Sequence, residues 1–258
     1  MTDPNVTGRG CSAAGPGVIE TSGLAAGHAG LPVVRNLDLR VRRGEIVALL
    51  GPNGAGKTTT LMTLAGLLPP IRGQVRVLGC APGRHPHRLA RRGVALVPED
   101  RGLFPGLTVA EHLRLARGRE AANRAGGRRR VVAVVDEHFP ELRRLMNQPC
   151  GLLSGGEQQM LAVCRALATD PVLLMVDEMS LGLAPKVAHR LLSVLRRVAV
   201  EREMAVLLVE QHVHLALEVA DRGYVLSHGE VVMQGQASYL RDNRGLLASA
   251  YLGGTALT

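Results

Sequence analysis

The stretch that decides the fold is Gly51-Pro52-Asn53-Gly54-Ala55-Gly56-Lys57-Thr58, which fits the pattern G-x-x-x-x-G-K-[ST]. An apolar run of strand length, residues 45–50, precedes it, and a helical segment that Pro69-Pro70 ends follows it. Glycines let such a loop turn its backbone N–H groups inward, and the N-terminus of the helix adds a positive pole. A Gly-rich turn before an amphipathic helix is the alternative, but the flanking strand and helix favour a phosphate site.

This phosphate loop, residues 51–58, contains the residue types that a bound nucleotide requires. We expect Lys57 to reach the β- and γ-phosphates and the Thr58 hydroxyl to ligate Mg²⁺. The sequence therefore predicts binding of ATP with Mg²⁺, and the predicted nucleotide-binding residues of the loop are Gly51, Pro52, Asn53, Gly54, Ala55, Gly56, Lys57, Thr58 and Thr59.

Two adjacent carboxylates, Asp177 and Glu178, follow the apolar run of residues 171–176. Such a run is typical of a strand buried on both faces, and parallel sheets place functional residues beyond the carboxyl ends of their strands. We expect Asp177 to hold the Mg²⁺ shell and Glu178 to orient and polarise the water that attacks the γ-phosphate. A strand that ends in Asp-Glu is often only salt-bridged, but downstream of a phosphate loop it indicates catalysis.

A third stretch, Ser154-Gly155-Gly156-Glu157, opens a segment with helical apolar spacing. Ser154 has the character of an N-cap, and the helix carries a carboxylate in its first turn. One interpretation is a well-capped helix and nothing more. The functional interpretation is a second anion site, in which Ser154 and the amides of Gly155 and Gly156 hold a γ-phosphate bound by another molecule.

Together these residues resemble a known family: the stretch from about Val18 to Gly253 is similar to the nucleotide-binding subunit of ABC transporters. Residues 153–159 match the signature motif of that family. Four further stretches are similar to one branch of this family, the ATPases of branched-chain amino acid importers. These stretches are residues 97–109, 180–186, 209–211 and 250–253.

The resemblance implies an α/β fold of the P-loop NTPase class. It implies one ABC-type nucleotide-binding domain over residues 18–258, with an inserted helical subdomain at about 83–152 and an antiparallel β portion. Within residues 153–235, helical and strand patterns alternate, which by itself predicts a mainly parallel sheet between helices. Residues 1–17 are rich in Gly and Pro and are predicted to be a disordered lead-in.

The resemblance also implies the partners. We expect a head-to-tail dimer with a second ABC ATPase, often a related chain rather than a copy, together with two membrane permeases and indirectly an extracytoplasmic solute-binding protein. No apolar run reaches the roughly 18 residues that a membrane span needs. The expected location is therefore the cytoplasmic face of the membrane, where the chain is peripheral and held by the permeases.

Several positions depart from the general pattern of the superfamily. His28 stands where an aromatic residue stacks on adenine, and it is predicted either to stack or to be an ordinary loop histidine. Glu99 replaces the glutamine that contacts Mg²⁺ and is predicted to be a metal ligand. Gln211, rather than the neighbouring His212, aligns with the switch histidine and is predicted to bind the γ-phosphate. Met179 replaces a proline, which loosens the turn after the two acids.

Charge and cysteine content limit the remaining functions. The net charge is +9, and almost all of the positive charge is arginine, which suggests nucleic-acid binding as one interpretation. Aromatic residues, however, make up only 2% of the chain, which leaves few side chains on which bases could stack. Attraction to anionic lipid is a second interpretation, and arginine bias a third that we prefer. The four cysteines lack C-x-x-C spacing, which predicts reduced thiols. A soluble ABC-type ATPase that acts on nucleic acid, or a regulatory nucleotide-binding module, is the alternative function.

Overall fold

The computed structural model describes residues 17–83, 85–116, 124–243, 245 and 247. The predicted lead-in, residues 1–17, therefore lies outside the described residues except for Gly17. The described chain forms ten strands: β1 Ile19–His28, β2 Leu31–Leu37, β3 Arg40–Val41, β4 Ile46–Leu50, β5 Arg72–Val77, β6 Val94–Val97, β7 Leu173–Asp177, β8 Ala205–Glu210, β9 Arg222–Ser227 and β10 Glu230–Gln236.

The described residues form eight α-helices, and between residues 155 and 227 these alternate with strands, as the sequence pattern over residues 153–235 predicts. They are α1 Lys57–Leu64, α2 Pro86–Arg91, α3 Val109–Arg114, α4 Arg124–His138, α5 Gly155–Leu167, α6 Pro185–Glu201, α7 Val213–Val219 and α8 Ala237–Asp242. Two short 3₁₀ helices, Pro140–Leu145 and Cys150–Leu152, lie between α4 and α5.

The central element is a six-stranded sheet in the order β10-β9-β4-β8-β7-β6. Strands β4, β6, β7, β8 and β9 are parallel to one another, and β10 pairs antiparallel to β9. The carboxyl ends of β4, β6, β7 and β8 therefore meet at one edge. The residues that follow these four strands are the phosphate loop, Glu99, Glu178 and Gln211, so the topology brings four distant sequence motifs to one place.

The inner strands β4, β7 and β8 are buried on both faces, which explains why they are almost entirely apolar runs. In β4, Ile46, Ala48 and Leu50 pack in one hydrophobic core with α5 and α6. The alternate residues Val47 and Leu49 pack in a second core with α1 and the smaller sheet. Successive side chains of a strand point to opposite faces, so one strand contributes to both cores.

The smaller sheet is antiparallel: β1 pairs with β2, β3 and β5. Its β1–β2 hairpin lies against the phosphate loop, since a Cβ atom added to Gly56 would stand 2.5 Å from Cγ2 of Val34 in β2. The fold is thus an α/β P-loop NTPase fold with an antiparallel β portion, as the sequence predicts.

The region of residues 83–152, predicted to be a helical subdomain, also contains β6, which pairs with β7 in the central sheet. Apart from α2, whose Leu89 packs in the second core, the helices of this region lie in residues 109–152 and pack in the same core as α5. Helical apolar spacing over residues 131–146 predicts one helix there. The structure divides this segment after His138, where Phe139 and Pro140 end α4 and start a 3₁₀ helix. Proline lacks the N–H that an α-helix would need at that point.

The prediction of reduced cysteines holds for two of the described residues and is wrong for a third. Cys150 and Cys164 are free and buried, and burial raises the pKa of the Cys164 thiol to about 12. Cys80 is disulfide-bonded. Absence of C-x-x-C spacing argues against a local pair only, because the fold can bring residues distant in sequence together. Within the described ranges, no helix has the length and apolar character to cross a membrane.

Candidate active site

The phosphate loop connects β4 to α1, and its backbone requires glycine at two points. Gly56 has φ of 103°, a region that residues with a side chain rarely adopt. At Gly51, an added Cβ atom would lie 2.3 Å from the carbonyl oxygen of Leu226. The glycines predicted from the sequence are therefore needed for conformation at one position and for close packing at the other.

Lys57 is nearly buried and spans the loop. Its Nζ donates hydrogen bonds to the carbonyl oxygens of Gly51 and Pro52, at 2.8 and 3.1 Å, and lies 3.2 Å from Oε1 of Glu178. The ammonium group thus joins the phosphate loop to the acidic end of β7, two elements more than a hundred residues apart in sequence.

The N-terminus of α1 faces the same region without a capping side chain. Its N-cap residue, Gly56, makes no side-chain hydrogen bond, and the first turn contains no acidic residue. The first N–H groups of a helix need an acceptor and carry the positive end of the helix dipole. This helix end therefore has the character of an anion site.

Asp177, the last residue of β7, is 2% exposed. Burial raises the pKa of its carboxyl to about 6, with smaller contributions from Glu178 and Glu99, while a hydrogen bond with Thr58 and the charge of Lys57 lower it. Its Oδ1 is buried with no hydrogen-bond partner among the described residues. A buried oxygen of this kind is costly unless something binds it.

Glu178 follows β7 in a left-handed conformation, with φ of 47°. Its backbone N–H donates to the carbonyl oxygen of Val209 in β8 at 2.9 Å. One carboxylate oxygen pairs with Lys57, and the other, Oε2, is buried with no partner among the described residues. Left-handed backbone at a residue with a side chain is a strained conformation that clusters at functional sites.

An open cleft of about 570 Å³ lies between these elements. It brings together four predicted site residues from three parts of the chain, Thr58, Glu99, Asp177 and Glu178. Glu99 is exposed, two residues beyond β6. These four predicted site residues therefore line one cleft.

The same cleft contains Arg101 and Gln159, to which sequence reasoning assigned no role. The Arg101 guanidinium donates to Oε1 of Gln159 at 3.1 Å and to Oε1 of Gln158 at 2.6 Å. These bonds join the loop that carries Glu99 to the helix α5. The sequence indicated a role for Arg101 and the two glutamines only in that they lie within residues 97–109 and 153–159, which resemble the family.

Ser154 caps α5 as predicted. Its Oγ accepts a hydrogen bond from the Glu157 N–H at 3.3 Å, and the Glu157 carboxylate accepts from both the hydroxyl and the N–H of Ser154. These bonds hold the pKa of Glu157 below its usual range. Ser154 is exposed, and Gly155 and Gly156 are half-buried, so the helix N-terminus faces outward.

Two predicted site residues, His28 and Gln211, do not line the cleft. His28 ends β1 and is exposed in the hairpin that packs on the phosphate loop. Gln211 follows β8, next to β7, and is half-buried. Adenine stacking by His28 and γ-phosphate binding by Gln211 remain predictions.

A further polar cluster was not predicted. The carboxylate of Glu210 accepts hydrogen bonds from the N–H and the hydroxyl of Ser180, at 2.9 and 2.7 Å, and Nδ1 of His212 lies 2.9 Å from Ser180 Oγ. The sequence predicted the switch role for Gln211 rather than for His212, and it indicated no role for Glu210. Both residues flank Gln211, and this adjacency was the one available signal.

The donor set suits Mg²⁺ better than a transition metal. No group of three or more His, Cys, Asp or Glu side chains able to hold a metal exists among the residues that the structure describes. Mg²⁺ typically takes one or two carboxylates, and its other ligands are substrate phosphates and water. The unpartnered Oδ1 of Asp177, beside Thr58, fits this mode of binding.

Comparisons with known proteins agree with this geometry. The family model described as "ABC transporter" matches residues 34–180. The chain is 40% identical over 225 residues to the "High-affinity branched-chain amino acid transport ATP-binding protein BraG" of Pseudomonas aeruginosa, covering 87% of this chain and 94% of that protein. It is 35% identical to the "Probable branched-chain amino acid transport ATP-binding protein LivF" of Archaeoglobus fulgidus, covering 88% and 95%.

A solved structure described as "Structure of ATP binding subunit of ABC transporter" superimposes with a TM-score of 0.77. It is 31% identical to this chain and covers 92% of it, while 98% of the solved chain is covered. The family match includes the phosphate loop, the Ser154 segment and Glu178.

Proposed function

The chain belongs to the ABC transporter family of ATP-binding proteins and hydrolyses ATP, and on that premise we propose that it is the ATPase subunit of an importer for branched-chain or related amino acids. The observation that carries the proposal is the convergence of Lys57, Thr58, Glu99, Asp177 and Glu178 at one end of the sheet. The solute class rests on the names of the two relatives.

Binding of ATP would begin at the phosphate loop. The amides of the loop and the N-terminus of α1 would hold the β-phosphate, because these N–H groups have no side-chain cap. Lys57 would exchange its contacts with Gly51, Pro52 and Glu178 for the β- and γ-phosphates, and charge-assisted bonds of this kind are strong. His28, in the adjacent hairpin, would stack on adenine.

Hydrolysis would depend on Glu178. Departure of Lys57 toward the phosphates would leave the carboxylate free to accept a proton from water and to aim that water at the γ-phosphorus. Gln211, beyond the neighbouring strand, would donate to the γ-phosphate.

Thr58, Asp177 and Glu99 would hold Mg²⁺. When bound there, Mg²⁺ would neutralise charge on the phosphate oxygens. Asp177 would then gain a partner for its buried Oδ1. Glu99 is exposed and lines the same cleft as Asp177, so it would supply a second carboxylate to the metal.

The Ser154 segment would complete the site of a second subunit. It faces outward at the N-terminus of α5, where its hydroxyl and amides can hold the γ-phosphate bound by the partner's phosphate loop. We propose a head-to-tail dimer, with a related ATPase as the natural second subunit. Two permeases would bind the pair at the membrane, and an extracytoplasmic binding protein would deliver the solute.

The test uses the only two lysines in the chain, Lys57 and Lys186. Lys57→Ala should weaken ATP binding by roughly tenfold or more, because it removes a charged phosphate contact, whereas Lys186→Ala, an exposed residue at the start of α6, should not. Titration with a fluorescent ATP analogue measures both. In cells that lack the native gene, Lys186→Ala should restore uptake of labelled leucine and Lys57→Ala should not. Restored efflux instead of uptake would contradict the importer assignment.

A further inference from the structure

One buried carboxylate holds the segment that follows β7, and the proposed reaction gives it no part. Glu210, the last residue of β8, has no exposed surface. Its two oxygens both bind Ser180: Oε1 accepts from the Ser180 N–H at 2.9 Å and Oε2 from the Ser180 hydroxyl at 2.7 Å. A single side chain therefore fixes both the backbone and the side chain of a residue thirty positions away.

His212 completes the cluster. Its Nδ1 is 2.9 Å from Ser180 Oγ. Because the hydroxyl proton is donated to Glu210, the bond with His212 requires Nδ1 to carry the hydrogen. Glu210 and His212 stand on either side of Gln211 in the chain, and each contacts the same serine.

Ser180 is two residues beyond Glu178, the proposed base, and the turn between them needs support. Glu178 adopts left-handed backbone, and the next residue, Met179, lacks the ring by which a proline would fix φ at that position. The support comes from β8: the Glu178 N–H binds the Val209 carbonyl, and the Ser180 N–H binds the next side chain, Glu210. Val209 and Glu210, which are consecutive in β8, therefore accept hydrogen bonds from Glu178 and Ser180 of the turn.

We infer that Glu210 is a positioning residue, whose bonds to Ser180 hold Glu178 in its left-handed conformation. The inference rests on the proposed role of Glu178 as the base. Glu210 is given no contact with nucleotide or water, and it acts through Glu178, which is proposed to contact the attacking water. A displacement of the base by about 1 Å is enough to slow catalysis a hundredfold.

Steady-state ATP hydrolysis and ATP affinity of Glu210→Ala and Ser180→Ala test this. We expect kcat to fall about tenfold or more for Glu210→Ala and several-fold for Ser180→Ala, with KM for ATP within about twofold of the wild type. Ser180→Thr keeps the hydroxyl and should retain most of the activity. Glu45→Ala is the matched control, since Glu45 is also buried and hydrogen-bonded but lies at the opposite edge of the sheet, and its kcat should stay within about twofold.

The decisive experiment measures ATP hydrolysis of the same substitutions in a Glu178→Gln background. If Glu210 acts through Glu178, Glu210→Ala should cause no further loss of the residual hydrolysis there. An equal loss in both backgrounds would make Glu210 merely structural and would overturn the inference, as would unchanged kcat of Glu210→Ala beside an inactive Glu178→Gln. Full hydrolysis by Glu178→Gln alone would overturn the proposed function, and the inference with it. If Glu210→Ala fails to fold, Ser180→Ala and Ser180→Thr decide the same question.

Discussion

The two ends of the six-stranded sheet both bury carboxylates, but they treat them differently. At the amino end, Glu45 pairs with Arg222 and also accepts a hydrogen bond from the N–H of Arg42. Nearby, Asp221 accepts from Arg196 and from the backbone N–H of Ile46, at 2.8 and 2.9 Å. The acids at this end have their partners within the chain.

At the carboxyl end, Asp177 and Glu178 each keep one buried oxygen without a partner in the described part of the chain. Burial raises the pKa of Asp177, and Glu178 stands in left-handed backbone. Unsatisfied buried polar atoms and backbone strain both cost free energy. The difference teaches that the amino end contributes stability, while the carboxyl end keeps charged groups available for ligands at the expense of stability.

The largest expected effect comes from removing the base at the carboxyl end. Glu178→Gln should lower ATP hydrolysis by roughly two to four orders of magnitude, because the amide cannot accept the proton from water. ATP affinity should persist, since Lys57 and the phosphate loop are intact. Phosphate release measured beside equilibrium ATP binding checks both, with Glu45→Gln as the control at the amino end. Hydrolysis at the wild-type rate would remove Glu178 from the role of base.

The second largest effect is expected on stability, from removal of an ion pair at the amino end of the sheet. Arg222→Ala leaves Glu45 without its ion-pair partner and also loses the hydrogen bond to the Arg40 carbonyl oxygen at 2.7 Å. The free energy of unfolding should fall by roughly 2 kcal/mol, less than for a fully buried pair because Arg222 is partly exposed. Urea denaturation measures this. Hydrolysis per folded molecule should be unchanged, and a large loss of kcat at full folding would contradict the separation of the two ends.

The smallest expected effect is a gain in stability. Asp177→Asn should stabilise the nucleotide-free, metal-free protein by about 1 kcal/mol at pH 8, since the amide needs no ionisation in a buried site. The pKa of Asp177 is raised to about 6 in the folded state, so the cost of burying it grows as pH rises from the unfolded value toward that pKa and is complete above it. The stability gain should therefore shrink at pH 5. Melting curves in EDTA at the two pH values test this, and a loss of stability at pH 8 would contradict it.

The features predicted from the sequence are those that local pattern encodes. The phosphate loop, the strand ends and the Ser154 cap each depend on residues within a few positions, so motif and periodicity were sufficient. The location of Asp177 and Glu178 followed from the rule that functional residues lie beyond the carboxyl ends of parallel strands, whereas Glu99 was assigned through the family resemblance. The division of the pattern over residues 131–146 was missed because apolar spacing outweighed the effect of Pro140.

What the sequence did not reveal are contacts between side chains far apart in the chain. The Lys57–Glu178 pair, the bonds of Arg101 to Gln158 and Gln159, and the grip of Glu210 on Ser180 all depend on packing that no local pattern reports. Each of these residues looks ordinary in a window of ten positions, and only the fold gives it a partner.

The central claim, that hydrolysis needs the phosphate loop of one chain and the Ser154 segment of another, is tested most directly by mixing two inactive variants. Ser154→Arg keeps an intact phosphate loop, and Lys57→Ala keeps an intact Ser154 segment. In a random mixture about half of the dimers are hybrids, each with one intact site, so phosphate release should recover to roughly a quarter of the wild-type rate at the same concentration. No recovery, although hybrid dimers are shown to form, would contradict a site that is shared between two chains.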